Sequence, residues 1–220
     1  MEKITLEIVR LIAIDDGAKE IVERLKGYEI YHIESGCDIL LDVVITTSGK
    51  SIDKSSIPRQ GKIAACKTIL LQANDAYEAI EHDGFDAILS FSDLNKVYEE
   101  VKSFLYIVYN SLEVHGLCSF DFYDFFSLVK GRNMISLQTY PYTSIGQALS
   151  LLEYDSNKGQ NKYLLTLCMG DDEEKYMKFL QEFDNRTLME RISDETVLNF
   201  NTIPSTLKQI MLLTITPNTQ

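Results

Sequence analysis

The segment from Asp93 to Lys130 carries the pattern that most restricts how this chain can fold. Apolar side chains recur there at steps of three and four, which places them on one helical face: Leu94, Val97, Val101, Leu105, Val108 and Leu112. Further apolar and aromatic side chains widen that face: Tyr98, Phe104, Tyr106, Ile107 and Tyr109. A helix that is apolar on nearly every side must be covered by several layers. The pattern therefore predicts a buried central helix, capped by Asp93 and ended at His115-Gly116.

A short loop connects this helix to a second predicted helix. The loop runs from Leu117 to Asp124, and the second helix has an apolar stripe of Phe122, Phe125, Phe126 and Val129. Asp121 and Asp124 stand at its start, where carboxylates commonly cap a helix or stabilise its first turn. A carboxylate in a loop can also accept hydrogen bonds from a water and orient it for attack on a phosphate. The spacing allows both roles.

The loop and its surroundings resemble the cell-division GTPase FtsZ and, more remotely, tubulin. In that family a Gly-Leu turn follows a long central helix, and a loop patterned Asn-x-Asp-Phe-x-Asp opens the next helix. Here the turn is Gly116-Leu117, Ser119 replaces the asparagine, and Asp121-Phe122 and Asp124 match the remainder. The resemblance extends from about Phe85 to the C-terminus. It implies that Asp121 and Asp124 enter the nucleotide pocket of the next subunit in a filament and polarise the water that attacks the γ-phosphate.

The N-terminal half alternates strand and helix patterns. Its five strand-like segments are Leu6 to Ile14, Glu29 to Ile33, Ile39 to Thr46, Thr68 to Gln72 and Phe85 to Phe91. The third is nearly all aliphatic, as expected for a strand covered on both faces. A helix with Ala18, Ile21 and Leu25 on its buried face follows the first segment. This order predicts a Rossmann-like α/β domain with a mainly parallel sheet, in which ligands sit at the C-terminal ends of the strands.

The C-terminal half predicts a smaller α+β domain. Its four strand patterns are Asn133 to Thr139, Tyr163 to Met169, Thr196 to Phe200 and Ile210 to Thr216. The resemblance to FtsZ implies the same order of elements after the catalytic loop. We therefore expect a degenerate nucleotide-binding-like domain over residues 1–92, the central helix, loop and following helix over 93–131, and a four-stranded domain over 132–220.

The nucleotide-binding motifs of the FtsZ family are degraded in this chain. The family's glycine-rich signature brings bare backbone amides close to the phosphates, whereas the corresponding segment here is Ile45-Thr46-Thr47-Ser48-Gly49-Lys50-Ser51. Its last three residues end like a phosphate loop, but Val44 stands where such a loop has its first glycine, so a surface turn is expected. Leu94 and Tyr98 hold the family's base-binding positions. We predict no bound cofactor, because no motif supports GTP or Mg²⁺.

A second interpretation of the N-terminal half is a two-component receiver domain. Asp15 and Asp16 end the first strand, and Asp42 lies in the third, where a receiver carries its phosphorylated aspartate. Converging carboxylates of this kind bind Mg²⁺ and would make Asp42 a phosphate acceptor. The receiver's hydroxyl and lysine positions hold Gln72 and Ser90, so those functional groups are missing. Helix capping by Asp15 and Asp16, with Asp42 in a crevice, explains the same residues.

Charge and composition narrow the range of partners. The net charge of -12 argues against nucleic acid and anionic membranes, and no apolar run is long enough to span a bilayer. Four scattered cysteines without metal-ligand spacing are typical of a reduced, cytoplasmic protein. With the resemblance, these features favour a protein partner, either an FtsZ-type filament in cell division or a second copy. We expect a non-hydrolysing assembly, capping or regulatory role. The alternatives are a GTPase completed in trans by Asp121 and Asp124, and a receiver phosphorylated on Asp42.

Overall fold

The computed structural model describes residues 4–6, 8–26, 30–32, 40–57, 67–73, 82–91, 96–112, 120–141, 161–169, 174, 177–178, 181, 197–204 and 208–217. The helices bounded within these residues are α1 (Asp16–Lys26), α2 (Val97–Leu112) and α3 (Phe122–Val129). The strands are β1 (Ile4–Leu6), β2 (Val9–Ala13), β3 (Ile30–His32), β4 (Leu41–Thr46), β5 (Ile52–Asp53), β6 (Lys67–Gln72), β7 (His82–Asp83), β8 (Ala87–Phe91), β9 (Gly131–Pro141), β10 (Lys162–Met169), β11 (Val197–Pro204) and β12 (Gln209–Pro217). A 3₁₀ turn, Lys54–Ser56, follows β5.

Eight of these strands form one continuous sheet in the order β11-β10-β12-β9-β8-β6-β4-β2. Five adjacent strands of this sheet are parallel to one another: β2, β4, β6, β8 and β9. Strand β12 is antiparallel to both β9 and β10, and β11 is parallel to β10. The other four strands form two short parallel pairs, β1 with β3 and β5 with β7. The predicted mainly parallel α/β fold is confirmed, and the four C-terminal strands lie side by side.

The two halves of the sheet meet where β8 pairs with β9. The register runs from Ala87 opposite Gly131 to Phe91 opposite Ile135. Gly131 has a φ of +90°, which a side chain would strain, and it allows the sharp turn from α3 into β9. The domain boundaries after residues 92 and 131 stay a prediction.

The inner parallel strands are buried on both faces. All residues of β4 and β8 are buried, and so are all residues of β6 except the first. Alternate side chains pack into two clusters. The large one lies beneath the helices and includes Val43, Ile69 and Leu89, and the small one consists of Ile12, Val44, Ile52, Leu70 and Ile88. Continuous burial explains why the middle of each strand has consecutive aliphatic residues instead of alternating apolar and polar ones: Val43-Val44-Ile45, Ile69-Leu70-Leu71 and Ala87-Ile88-Leu89.

The buried central helix that the sequence predicts is α2. Val101, Phe104, Leu105, Ile107 and Val108 are all 0% exposed, because α2 packs against α1, α3 and β9. The predicted cap and the predicted end of this helix, at residues 93 and 115–116, lie outside the described residues. Across the described part of the chain, no helix combines the length and the apolarity needed to cross a bilayer.

His82 in β7 makes folding sensitive to pH. Its side chain is buried, and Nδ1 accepts a hydrogen bond from the Ile52 amide at 3.2 Å, which requires that nitrogen to be unprotonated. Burial, and then the positive charge of Arg132, hold the pKa of His82 below its ordinary value of 6.5. The unfolded chain therefore takes up the proton first. The contribution of neutral His82 to the free energy of unfolding is fully present above about pH 6.5. It is lost as the pH falls from there toward the folded-state pKa.

We expect urea unfolding of the wild-type protein to show this loss below about pH 6.5. His82→Asn should lose most of it, because the amide oxygen still accepts from Ile52 but does not titrate. In mildly alkaline solution the free energy of unfolding should depend on pH in the same way in the two proteins. An equal loss on the acid side in His82→Asn would assign the effect to another group.

Candidate functional site

Asp121 and Asp124 hold the start of α3 in a reciprocal capping box. Oδ1 of Asp121 accepts hydrogen bonds from the Tyr123 amide at 2.8 Å and the Asp124 amide at 3.0 Å. Oδ2 of Asp124 accepts one from the Asp121 amide at 3.2 Å. These bonds satisfy backbone donors that the first turn of a helix leaves without partners. The structure thus brings the two predicted residues together and gives both a capping role.

The capping box leaves both carboxylates at the surface. Asp121 and Asp124 are exposed, and among the described residues each carboxylate uses one oxygen in the box. Tyr123 lies between them and is 77% exposed, an unusual exposure for a large aromatic side chain. We call Asp121, Tyr123 and Asp124 the acidic-aromatic face.

The rest of α3 anchors this face to the core. Phe125 is 0% exposed and packs against Phe104 of α2, with ring centroids 6.0 Å apart. Phe122 stacks on Phe126 one turn later, at 6.1 Å. The sequence reasoning missed Tyr123. Position 123 falls outside the apolar stripe of Phe122, Phe125, Phe126 and Val129, so the helical periodicity already indicates that Tyr123 is exposed.

Asp15 occupies the C-terminal edge of the parallel sheet, beside the start of α1. Its Oδ1 accepts from the Ala18 amide at 2.8 Å and from the Thr47 hydroxyl at 2.7 Å. Its Oδ2 accepts from the Thr46 hydroxyl at 2.7 Å and from the amides of Thr47 and Ser48 at 2.9 and 3.3 Å. Burial alone would raise the pKa of Asp15, but the hydrogen bonds from Thr47, Thr46 and the backbone outweigh it and lower that pKa.

These donors form an anion-binding nest that the protein fills with its own carboxylate. Backbone amides at a helix start and at a strand end are the groups that cradle phosphates in sheets of this kind. A Cβ atom at Gly17 would overlap the Thr47 side chain, so the start of α1 is in close contact with the loop after β4. The phosphate-loop-like segment beyond it, residues 49–51, is exposed. A phosphate could enter this nest only by displacing Asp15.

The three carboxylates of the receiver interpretation do not converge. Asp42 lies at the start of β4, four residues and therefore about 13 Å before the strand end that contacts Asp15. Its carboxylate binds the Arg10 guanidinium in a bidentate ion pair, at 2.7 and 2.9 Å. Asp16 is exposed and pairs with Lys19 at 2.7 Å. The described residues contain no group of three or more His, Cys, Asp or Glu that could hold a metal ion.

The remaining predicted positions have structural contacts. Gln72 and Ser90 are buried at the ends of β6 and β8, where the Ser90 hydroxyl donates to Gln72 Oε1 at 3.1 Å. Tyr98 faces α1: the Arg24 guanidinium lies 3.8 Å from its ring centroid, and its hydroxyl donates to Glu20 at 3.4 Å. Tyr98 is therefore engaged by α1, and Leu94 lies outside the described residues.

Comparison with known proteins gives likenesses in fold alone. No family model and no curated protein matches the sequence. Among solved structures, the chain is similar to a point mutant of FtsZ from M. jannaschii, with 12% identity and a TM-score of 0.49, over 98% of this chain and 91% of that one.

Two CetZ structures are also similar. CetZ from Methanosaeta thermophila has 12% identity and a TM-score of 0.40, over 97% of this chain and 61% of that one. GDP-bound CetZ1 from Haloferax volcanii has 9% identity and a TM-score of 0.43, over 93% and 70%. The chain thus spans less than two thirds of the Methanosaeta protein. Similarity at this level assigns neither an activity nor a partner.

Proposed function

We propose that this chain is an FtsZ/tubulin-like association module that does not hydrolyse nucleotide by itself. It presents the acidic-aromatic face to a protein partner, either a nucleotide-bearing filament subunit of the FtsZ type or a second copy of this chain. The observation that carries the proposal is the exposure of Asp121, Tyr123 and Asp124 on a helix start that is itself fixed by the capping box.

The geometry of this face suits protein recognition. Exposed tyrosines are frequent energetic centres of interfaces, since they add a large contact area at a small cost in side-chain entropy. The capping box and the buried Phe125 fix the backbone that carries this face before binding. Such pre-organisation reduces the entropy lost on association. The two carboxylates make the expected partner surface basic.

The filled nest at Asp15 supports the absence of intrinsic hydrolysis. A GTPase must bring donors to the phosphates, and the donors nearest the start of α1 are already bound to a carboxylate. The exposed carboxylates of Asp121 and Asp124 could still orient a water in a pocket that the partner supplies. This chain would then contribute acids to a reaction whose nucleotide is held elsewhere.

Asparagine substitutions separate the capping role of the two aspartates from a role in trans. Asparagine caps helices about as well as aspartate, so the double variant Asp121→Asn, Asp124→Asn should fold normally but lose the charges. Added to an FtsZ-type GTPase, the wild-type chain should change the partner's turnover, whereas the double variant should not. Equal effects of the two proteins on the partner's turnover would mean that the two aspartates act only as helix caps.

Tyr123→Ala tests the binding role of the same face. We expect partner affinity, or self-association measured by analytical ultracentrifugation, to fall about thirtyfold or more, the loss typical of an aromatic interface anchor. Met177→Ala is the matched control, because Met177 is also an exposed large apolar residue, at 51%. Similar affinities for the two variants would contradict a contact at Tyr123.

A further inference from the structure

A cavity of about 480 Å³ lies between the first half of α2 and the strands β9 and β12. Its volume is within the range of small-molecule binding sites. None of its lining residues belongs to the acidic-aromatic face or to the nest around Asp15. It is therefore a separate candidate site.

The charged residues that line the cavity differ in how exposed they are. Glu100 is the most buried charged residue of the lining, at 6% exposed. Lys96 and Glu99 are exposed, and the Lys102 ammonium lies 3.6 Å from the Glu99 carboxylate. The lining thus carries two ammonium groups and two carboxylates, and the most buried of these four charges is the Glu100 carboxylate.

The rest of the lining is part apolar and part hydrogen-bonding. Leu137 and Met211 supply aliphatic surface from β9 and β12, and Tyr106, Gln138 and Gln209 supply oxygen acceptors. Tyr106 and Gln138 already take part in interactions within the protein, as Glu100 does. These contacts restrain the three side chains before a ligand arrives, which reduces the entropy lost on binding.

We propose that this cavity binds a linear aliphatic polyamine. One protonated amine binds the Glu100 carboxylate in a charge-assisted hydrogen bond, which is strengthened by the partial exclusion of water. The methylene chain lies against Leu137 and Met211, where it is removed from solvent. A further ammonium of the ligand binds the phenol oxygen of Tyr106 and the carboxamide oxygens of Gln138 and Gln209. The net charge of -12 concentrates such cations at the protein surface.

Other ligand classes fit this lining less well. A phosphate or carboxylate at the inner wall would meet the like charge of Glu100 in a poorly hydrated part of the cavity, and the ammonium groups that attract anions, those of Lys96 and Lys102, are more exposed than Glu100. A divalent metal needs several oxygen ligands at once, and the described residues hold no group of His, Cys, Asp and Glu that could supply them.

Calorimetric titration of the full chain with spermidine at physiological ionic strength tests the proposal. We expect one saturable site per chain, and a fall in affinity of about tenfold or more in Glu100→Gln, the loss expected for one charged hydrogen bond. Asp16→Asn is the control: it removes the same charge from an exposed position outside the cavity and should leave affinity nearly unchanged.

Amide NMR of the wild-type protein keeps the test decisive if Glu100→Gln fails to fold. Spermidine should shift the resonances of Glu100, Tyr106 and Met211 in a saturable way. Weak shifts spread over acidic surface residues, equal losses of affinity in Glu100→Gln and Asp16→Asn, or no saturable binding would each overturn the proposal.

Discussion

Arg10→Met should lower the free energy of unfolding by about 3–5 kcal/mol, because it leaves Asp42 as a buried charge without its guanidinium partner. The two side chains are 11% and 13% exposed and lie directly opposite each other on β2 and β4. Removing one partner of such a pair costs far more than the pair itself contributes, since the remaining carboxylate has already lost much of its hydration. Urea unfolding at neutral pH measures the effect.

The double variant Arg10→Met, Asp42→Leu is the matched control for this prediction. With both charges replaced by apolar groups of similar size, stability should return close to the wild-type value. A small effect of Arg10→Met alone would mean that Asp42 retains access to water. Such access would reopen its assignment as a phosphate acceptor in a receiver-like domain.

Asp15→Ala should lower the free energy of unfolding by about 2–4 kcal/mol, because it removes a helix cap and leaves hydroxyl and amide donors without their acceptor. The Thr46 side chain is 0% exposed, so water replaces the lost acceptor poorly. The neighbouring Asp16→Ala is the control. Asp16 is exposed and pairs only with Lys19 among the described contacts, so its loss should have little effect.

The pH dependence of Asp15 gives a second measurement of the same contact. The pKa of Asp15 is lowered in the folded state from its ordinary value of 3.8. Its contribution to stability is therefore complete above about pH 3.8 and is lost as the pH falls through the folded-state pKa. Acid unfolding of Asp15→Ala should lack this component. A loss below about 1 kcal/mol at neutral pH, with an unchanged acid transition, would contradict the filled nest.

The sequence predicts those parts of the fold that depend on local pattern. The spacing of apolar residues from Leu94 to Leu112 is enough to identify α2, and the nearly all-aliphatic run from Ile39 to Thr46 is enough to identify the buried strand β4. Side-chain periodicity indicates which face of an element is buried, and these two elements are stabilised by burial of that face. The capping of α3 by Asp121 is equally local, because donors and acceptor lie within three residues.

The parts that the sequence does not predict depend on strand register. Arg10 and Asp42 are 32 positions apart and meet only because β2 pairs with β4 in one register. The partners of Asp15 on the β4 loop are 31 to 33 positions away. Register is set by the whole core, so no short pattern near Asp15 or Asp42 reveals these contacts. The receiver interpretation expects Asp15, Asp16 and Asp42 to converge at strand ends, whereas in the observed register Asp42 lies opposite Arg10 and Asp15 contacts Thr46 at the other end of β4.

Titration of the wild-type chain with a fluorescent guanine nucleotide in the presence of Mg²⁺ tests the central claim most directly. The claim is that the protein's own carboxylate fills the nest where phosphates would bind, so that the chain acts through association and not through its own nucleotide. We expect no saturable binding in the micromolar range, with an active FtsZ as the positive control. Micromolar affinity, abolished by competing GTP, would contradict it.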